Sequence, residues 1–242
     1  MLNPRLLTMT EKVLPRFVLT CLDPFRATIE VEIASAASQT GPGDIVLDAG
    51  AGEARNRKYF ARGRYFALDR GHGDATWDYS GLDVRGDLEA IPLRNGSVDR
   101  ILCIVVLEHT RDPKRVLGEF ARIMKPGARL HLVVPFLWEE HQQPCDYHRF
   151  TRYGIRLAFE SLPFEIELLR PMGGFFQVFA RRCVGLLGFF QGGWRWPLFV
   201  LLAPFFGLIF PLLFHLLDSL DVDQAYSLGF HVRARRLPLG DT

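Results

Sequence analysis

The sequence predicts an α/β fold: an open, doubly wound sheet with a hydrophobic helical insertion before its last strand. Three observations predict it. Short apolar runs, each ending at an acid or a turn, alternate with segments that can be helical, as strand–helix units do. The first run leads into two closely spaced glycines, and the second ends in an acid about 20 residues further on. A late stretch, Val184 to Leu217, carries Arg195 as its one formal charge.

From about Glu11 to Gln39 apolar residues fall at mixed helical spacing, broken by Pro15 and Pro24. This predicts one or two helices that end before Gly41-Pro42-Gly43 and help to cover the sheet and wall a ligand cleft. Ile45 to Leu47 has no residue that needs water and reads as a buried parallel strand ending at Asp48. Gly50 and Gly52 follow. Lacking Cβ atoms, they let the chain turn sharply off the strand and let a ligand approach the backbone. A short helix is expected from Arg55 to Arg62, then a strand from Tyr65 to Asp69. At that distance from the glycines, a carboxylate reaches the ribose hydroxyls of an adenosine cofactor in a βαβ unit.

A third strand is expected to end near Val84, ahead of Gly86-Asp87-Leu88-Glu89. Asn95 to Asp99 forms a turn before a fourth strand, Arg100 to Leu107. Glu108 and His109 stand at its carboxyl end, where open α/β sheets place their ligands. Asp112-Pro113 starts a helix, with an N-cap carboxylate and a proline in the first turn. Val116, Leu117, Phe120, Ile123 and Met124 make its apolar face, and Lys125-Pro126-Gly127 stops it. A fifth strand, Arg129 to Val134, precedes a loop from Pro135 to Phe150. A helix from about Thr151, a strand from Glu165 to Leu169 and a final strand near Phe230 to Arg236 complete the pattern.

Composition narrows the function. The 242 residues suffice for one α/β domain with an extra element, and a formal charge of +2 without a long basic block disfavours nucleic acid as partner. Cys21, Cys103, Cys145 and Cys183 show no C-x-x-C spacing and read as reduced cysteines of a cytoplasmic protein. The amino terminus, with Pro4, Glu11 and Pro15, lacks the apolar core of a secretory signal.

Asp48-x-Gly50-x-Gly52, with its acid two residues before the first glycine, resembles motif I of the class I S-adenosylmethionine (SAM) methyltransferases; Ala54 replaces the family's frequent third glycine. The nicotinamide and flavin fingerprint departs at Arg55. Asp69, the stretch Gly86 to Leu93, Leu107-Glu108-His109, Asp112-Pro113 and Lys125-Pro126-Gly127 then follow in an order similar to that of the small-molecule methyltransferases, over roughly Asp44 to Pro135. The resemblance implies a Rossmann-like sheet with SAM as cofactor. It also implies that Asp48 organises the methionine end, Gly50 and Gly52 contact the cofactor, Asp69 binds the ribose, and Asp87 with the Leu88 backbone meets the adenine. His109 stands between an acceptor-side catalytic role and a structural one.

The later loop, from Glu140-His141 through Pro144, Asp146-Tyr147-His148-Arg149 to Thr151, resembles one in methyltransferases associated with surface-polysaccharide and glycolipid assembly. It makes His141, Asp146, Tyr147, His148 and Arg149 candidates for acceptor binding, with loop packing as the alternative for each. No metal is expected, because there is no zinc motif and nothing joins His141 and His148 into a coherent ligand set. Two rivals remain: a nicotinamide-dependent oxidoreductase on the same sheet, and a non-catalytic binding protein that keeps the cleft.

Trp196 to Leu217 is about 22 residues without a formal charge, long enough to cross a bilayer core. A last strand near Phe230 must rejoin the sheet, so one net crossing would leave it on the wrong side of a membrane. A re-entrant or in-plane helical pair is therefore preferred over a two-crossing hairpin, with a packed subdomain or dimer interface as the soluble alternative. The expected organisation is an N-terminal helical segment (1–40), a SAM-binding core (41–173), the insertion (174–220), and the last strand with the C-terminus (221–242). The expected location is the cytoplasmic face of a membrane, with a small-molecule or lipid-linked acceptor. The oligomeric state stays open.

Overall fold

The structure, a computed structural model, describes residues 13–73 and 76–238. Its centre is strand β1 (Ile45–Ala49), which pairs in parallel with β2 (Arg64–Asp69) on one side and β4 (Val98–Ile104) on the other. The sheet continues outward to β3 (Val84–Arg85) beyond β2, and to β5 (Met124–Pro135), β7 (Gly229–Arg236) and β6 (Phe164–Met172) beyond β4. Only the β5–β7 pairing among those with a described register is antiparallel. The chain leaves β1 towards one edge and later returns to build the other. That reversal places a topological switch point at the ends of β1 and β4.

Alternation along β1 explains the two packed faces. Val46 joins Ala67 and Leu102 under Ile33 and Ala36 of α2 (Pro24–Ser38). Leu47 lies on the opposite side with Leu68, Ile101 and the apolar face of α3 (Pro113–Ile123), where Val116, Leu117 and Phe120 are fully buried. The Asp112 carboxylate accepts from the Arg115 amide at 3.0 Å, with Pro113 in the first turn, so α3 begins where sequence expects. A buried ionic knot also fastens α2 to the sheet. Glu32 accepts from His131 and Arg233, while Arg100 donates to His131 Nε2 at 2.9 Å. Burial alone would raise the Glu32 carboxyl, but the His131 and His231 partners outweigh it and hold it far below its ordinary range.

The chain forms two compact units. The sheet unit comprises Ile29–Arg170 and the C-terminal strand from Gly229, and the helical unit comprises residues up to Thr28 with Pro171–Leu228. Most of α2 belongs to the sheet unit, and residues 221–228 belong to the helical unit. The first expected helix begins, within the described residues, as α1 (Arg16–Leu22); its expected start at Glu11, and the amino-terminal signal reading, fall on residues outside those described.

Three elements differ from expectation. Strand β5 begins at Met124, directly after α3, rather than at Arg129. Arg55 to Arg62 is not an α-helix but a 3-10 turn, Arg55–Tyr59, entered through Ala54 in the left-handed region. Strand β4 ends at Ile104 rather than Leu107, because Val105 takes φ +58° and Leu107–His109 coil into another 3-10 turn.

After α4 (Arg152–Phe159) of the sheet unit, α5 (Phe175–Leu186) runs in the helical unit against a long helix spanning Gly193–Leu220. The long helix consists of α6 (Trp196–Pro204), a π-helical turn (Phe205–Ile209) and α7 (Phe210–Leu217), and the wider turn accommodates the prolines that cannot donate to a regular ladder. Phe176 stacks on Phe214 and Phe179 meets it edge to face, whereas Leu187 lies by Gly207, so the two helices are antiparallel. The unit closes on itself. Leu228 N donates to Met172 O at 3.1 Å, Gly174 N to the Asp218 carboxylate at 3.1 Å, and Phe175 N to Asp221 Oδ2 at 2.6 Å.

Candidate cofactor and acceptor site

Every residue singled out for the cofactor lies at the carboxyl ends of β1, β2 and β3. Gly50 takes φ +83°, and a Cβ there would lie 2.3 Å from the Val106 side chain. Gly50 N and Ala51 N both donate to Leu68 O, at 2.8 and 3.0 Å, bending the turn across β2. Gly52, at φ +52°, donates its amide to Asp69 Oδ2 at 3.0 Å, and a Cβ there would meet the Trp77 ring at 3.0 Å. Asp69 Oδ1 accepts from Gly71 N at 2.7 Å. Each Asp69 oxygen thus keeps a lone pair for a further donor such as a ribose hydroxyl.

Asp48 lies at the foot of the glycine turn. It is buried, and its Oδ2 accepts from Asn56 Nδ2 at 2.9 Å and from the Tyr65 hydroxyl. Burial pushes its carboxyl up to about 6, against the hydrogen bonds from Tyr65 and Asn56. Asp48 therefore braces the glycine turn against β2 and the 3-10 segment rather than offering an exposed carboxylate. Asp87 pairs with Arg70 through Oδ2 and caps the Glu89 amide at 2.9 Å through Oδ1. The Leu88 side chain is buried in the core, which leaves only its backbone for a ligand. Strand-end acid, positive-φ glycines and a β3-end acid together fit an adenosine cofactor.

The loops after β4 and β5 meet at a second cluster. Tyr147 N and His148 N donate to Glu108 O at 2.9 and 3.2 Å, and the His109 Nδ1 proton goes to Cys145 O at 2.9 Å. His141 and His109 touch edge to face at 4.7 Å. Arg149 forks onto Asp146 with two contacts of 2.6 Å and holds that carboxyl down to about 2, while Asp146 Oδ2 accepts from His141 N at 2.9 Å. The Glu108 carboxylate first, then the Glu139 carbonyl and Asp146, raise the His141 imidazole against the effect of burial. Asp146, Tyr147, His148 and Arg149 line a depression of about 230 Å³ with Trp138 and Glu140. His148 stands apart from the other two histidines, its ring 5.8 Å from Phe150.

Sequence reasoning joins His141 to no metal-ligand set, but the geometry groups it with Glu108 and His109, whose ligand atoms lie within 4.8 Å of one another. It also misses Trp77, Asn56 and Tyr65. Trp77 lies in an aperiodic connection, and the other two act through contacts that no spacing reveals.

The methyltransferase-domain family matches residues 47–132, the segment from the middle of β1 to β5 that carries these cofactor-side residues. This matched segment is a methyltransferase domain, of the class I SAM-dependent kind. Its cofactor is S-adenosylmethionine. Over 108 residues the chain is 32% identical to an uncharacterized methyltransferase of Mycobacterium sp. (strain JLS), which covers 42% of this chain and 43% of that protein. Over 115 residues it is 34% identical to the ubiquinone/menaquinone biosynthesis C-methyltransferase UbiE of Acidiphilium cryptum, covering 48% of this chain and 41% of the relative. The chain thus spans less than half the length of these curated relatives. Among solved structures, geranyl diphosphate C-methyltransferase from Streptomyces coelicolor A3(2) superposes with a TM-score of 0.58 at 12% identity, covering 91% of this chain and 84% of that one. That likeness is one of fold. A nicotinamide-dependent oxidoreductase, the rival on the same sheet, is not favoured for this methyltransferase domain.

Proposed function

We propose that the chain is an enzyme that methylates an oxygen of a small, lipid-linked acceptor at a membrane surface. Bound at the glycine turn, SAM supplies a methyl group already activated by its sulfonium. Asp69 would hold the ribose, the Gly50–Gly52 turn would receive the cofactor's amino-acid end, and Asp87 with the Leu88 backbone would meet the adenine edge. The loop carrying Asp146, Tyr147, His148 and Arg149 would orient the acceptor, and alignment of the reacting atoms supplies much of the rate. His109 would serve the structure of the cleft rather than proton transfer, because its Nε2 is buried and turns towards Glu108.

The observation that supports a lipid-linked acceptor is the insertion. Gly193–Leu220 is long and apolar enough to cross a membrane, with a mean hydropathy of 2.3 and only 6% of its most apolar window buried within the chain. Leu228 N donates to Met172 O at 3.1 Å, so the two ends of the inserted segment lie together, on one side of any bilayer it enters. This favours a helical pair dipping into the cytoplasmic leaflet over a single crossing, with Trp194, Trp196 and Arg195 at headgroup depth.

The test uses methyl-labelled SAM, the protein with its native membranes, and an Asp69→Ala control, with separation into organic and aqueous phases. Asp69-dependent label is expected in the organic phase. Label confined to the aqueous phase would remove the lipid acceptor. No transfer at all despite cofactor binding would leave a non-catalytic binding protein.

A further inference from the structure

We propose that Glu108, His109 and His141 form a three-ligand site for a divalent transition-metal ion of the zinc type. Such an ion would tie the loop after β4 to the loop after β5 in the sheet unit. Three acceptors converge there without a donor. The Glu108 side chain is fully buried, and among the described residues neither of its oxygens receives a hydrogen bond. The Nε2 atoms of His109 and His141 are also buried without a partner, and they face Glu108 Oε1 at 3.8 and 3.6 Å.

The opposite nitrogens fix the tautomers. His109 Nδ1 donates to Cys145 O at 2.9 Å and His141 Nδ1 to Glu139 O at 3.2 Å, so in each neutral ring Nε2 carries the lone pair. Asp146 stands behind both rings, its oxygens 3.8 Å from His109 Nδ1 and 3.4 Å from His141 Nδ1, and Arg149 anchors it. A metal-bound histidine is usually backed in this way, with its second N–H turned to a carbonyl or carboxylate. The motif residues Asp146 and Arg149 thereby acquire a positioning task.

Distances and donor types agree. Bonds of about 2.0–2.1 Å at tetrahedral angles put ligand atoms about 3.3 Å apart, so the two Glu108–histidine separations need to close by no more than about half an ångström, while the two imidazole nitrogens start within 4.8 Å of one another and close by the remainder. Two imidazoles and one carboxylate suit zinc and its neighbours better than magnesium or calcium, which prefer all-oxygen sets. A protonated His141 facing Glu108 is the competing arrangement. It would leave the lone pair of His109 Nε2 unused, and 3.6 Å exceeds a hydrogen bond. A metal ion satisfies all three groups.

The experiment titrates full-length, chelator-stripped protein with Co2+ by visible absorption, followed by Zn2+ displacement. Wild type is expected to bind one equivalent with the intense bands of a low-coordinate site, and Zn2+ to abolish them. His109→Ala and His141→Ala should each lose the signal, the isosteric Glu108→Gln should weaken binding at least tenfold, and His72→Ala, at an exposed histidine outside the cluster, should bind as wild type does. Circular dichroism and S-adenosylhomocysteine binding by calorimetry report whether each variant folds, independently of the metal. Absence of stoichiometric binding by wild type, or binding that survives both histidine substitutions, overturns the proposal. So does a His141 Nε2 proton seen by nitrogen NMR at neutral pH with one equivalent of Zn2+ present.

Discussion

Asp48→Asn should change stability by an amount that depends on pH, because burial lifts the Asp48 carboxyl from 3.8 to about 6. In the folded protein the proton is held more tightly than in the unfolded chain. The side chain's contribution is therefore fully present below about pH 4 and is lost as pH rises through about 6. Roughly two pH units of displacement correspond to about 3 kcal/mol at neutral pH, a penalty for ionising a carboxyl in the interior. Asparagine carries no such penalty, and its carbonyl can still accept from Tyr65 and Asn56, with a pH-independent offset of about 1 kcal/mol in either direction. Relative to the parent, the variant should gain about 3 kcal/mol between pH 4 and pH 7.5. Because two units can unfold separately, the assay is urea-dependent exchange of the β1 amides at constant ionic strength. A difference that stays flat across this range would refute the reasoning and return Asp48 to an ordinary, solvated carboxylate.

Gly50→Ala forces a Cβ into φ +83° and into the Val106 side chain, and should cost about 1–3 kcal/mol and weaken cofactor binding; adding Val106→Ala should restore only the steric share. Chemical denaturation and calorimetry with S-adenosylhomocysteine measure both. Asp146→Asn should loosen the loop carrying His141 at every pH above about 4, where the parent carboxylate is ionised, seen as faster amide exchange there. In the parent that loop should stay protected at pH 5 and open only as pH falls towards 2, because Arg149 lowers the Asp146 carboxyl and the stabilisation is lost on protonation.

The sheet was legible because buried parallel strands are apolar on both faces, and runs such as Ile45–Leu47 have no other stable place. Helix α3 was legible because its cap, proline and apolar face agree. What failed to show in the sequence depends on backbone signs and on loops meeting. Val105 looks like one more strand residue, yet it turns left-handed and carries Val106 over Gly50. Asp48 has the position of a ligand-binding acid but finds Tyr65 and Asn56 first. His141 and His109 are 32 positions apart, and only the Cys145 and Asp146 contacts bring their rings together. His148, nearer to His141 in sequence, is directed towards Phe150 instead.

The hydrogen bond from Leu228 to Met172 makes the hydrophobic insertion a closed stem. Loop-closure entropy rises only slowly with length, by about 0.6 kcal/mol per doubling, and a stem that pins its own ends reduces that dependence further. Strands β6 and β7 can remain neighbours whether the intervening segment is long, short or exchanged. The helical hairpin, together with α1 that packs on it, is thus a cassette. Evolution or an engineer can replace what this chain touches outside the sheet without rewriting the strands that build its cofactor site.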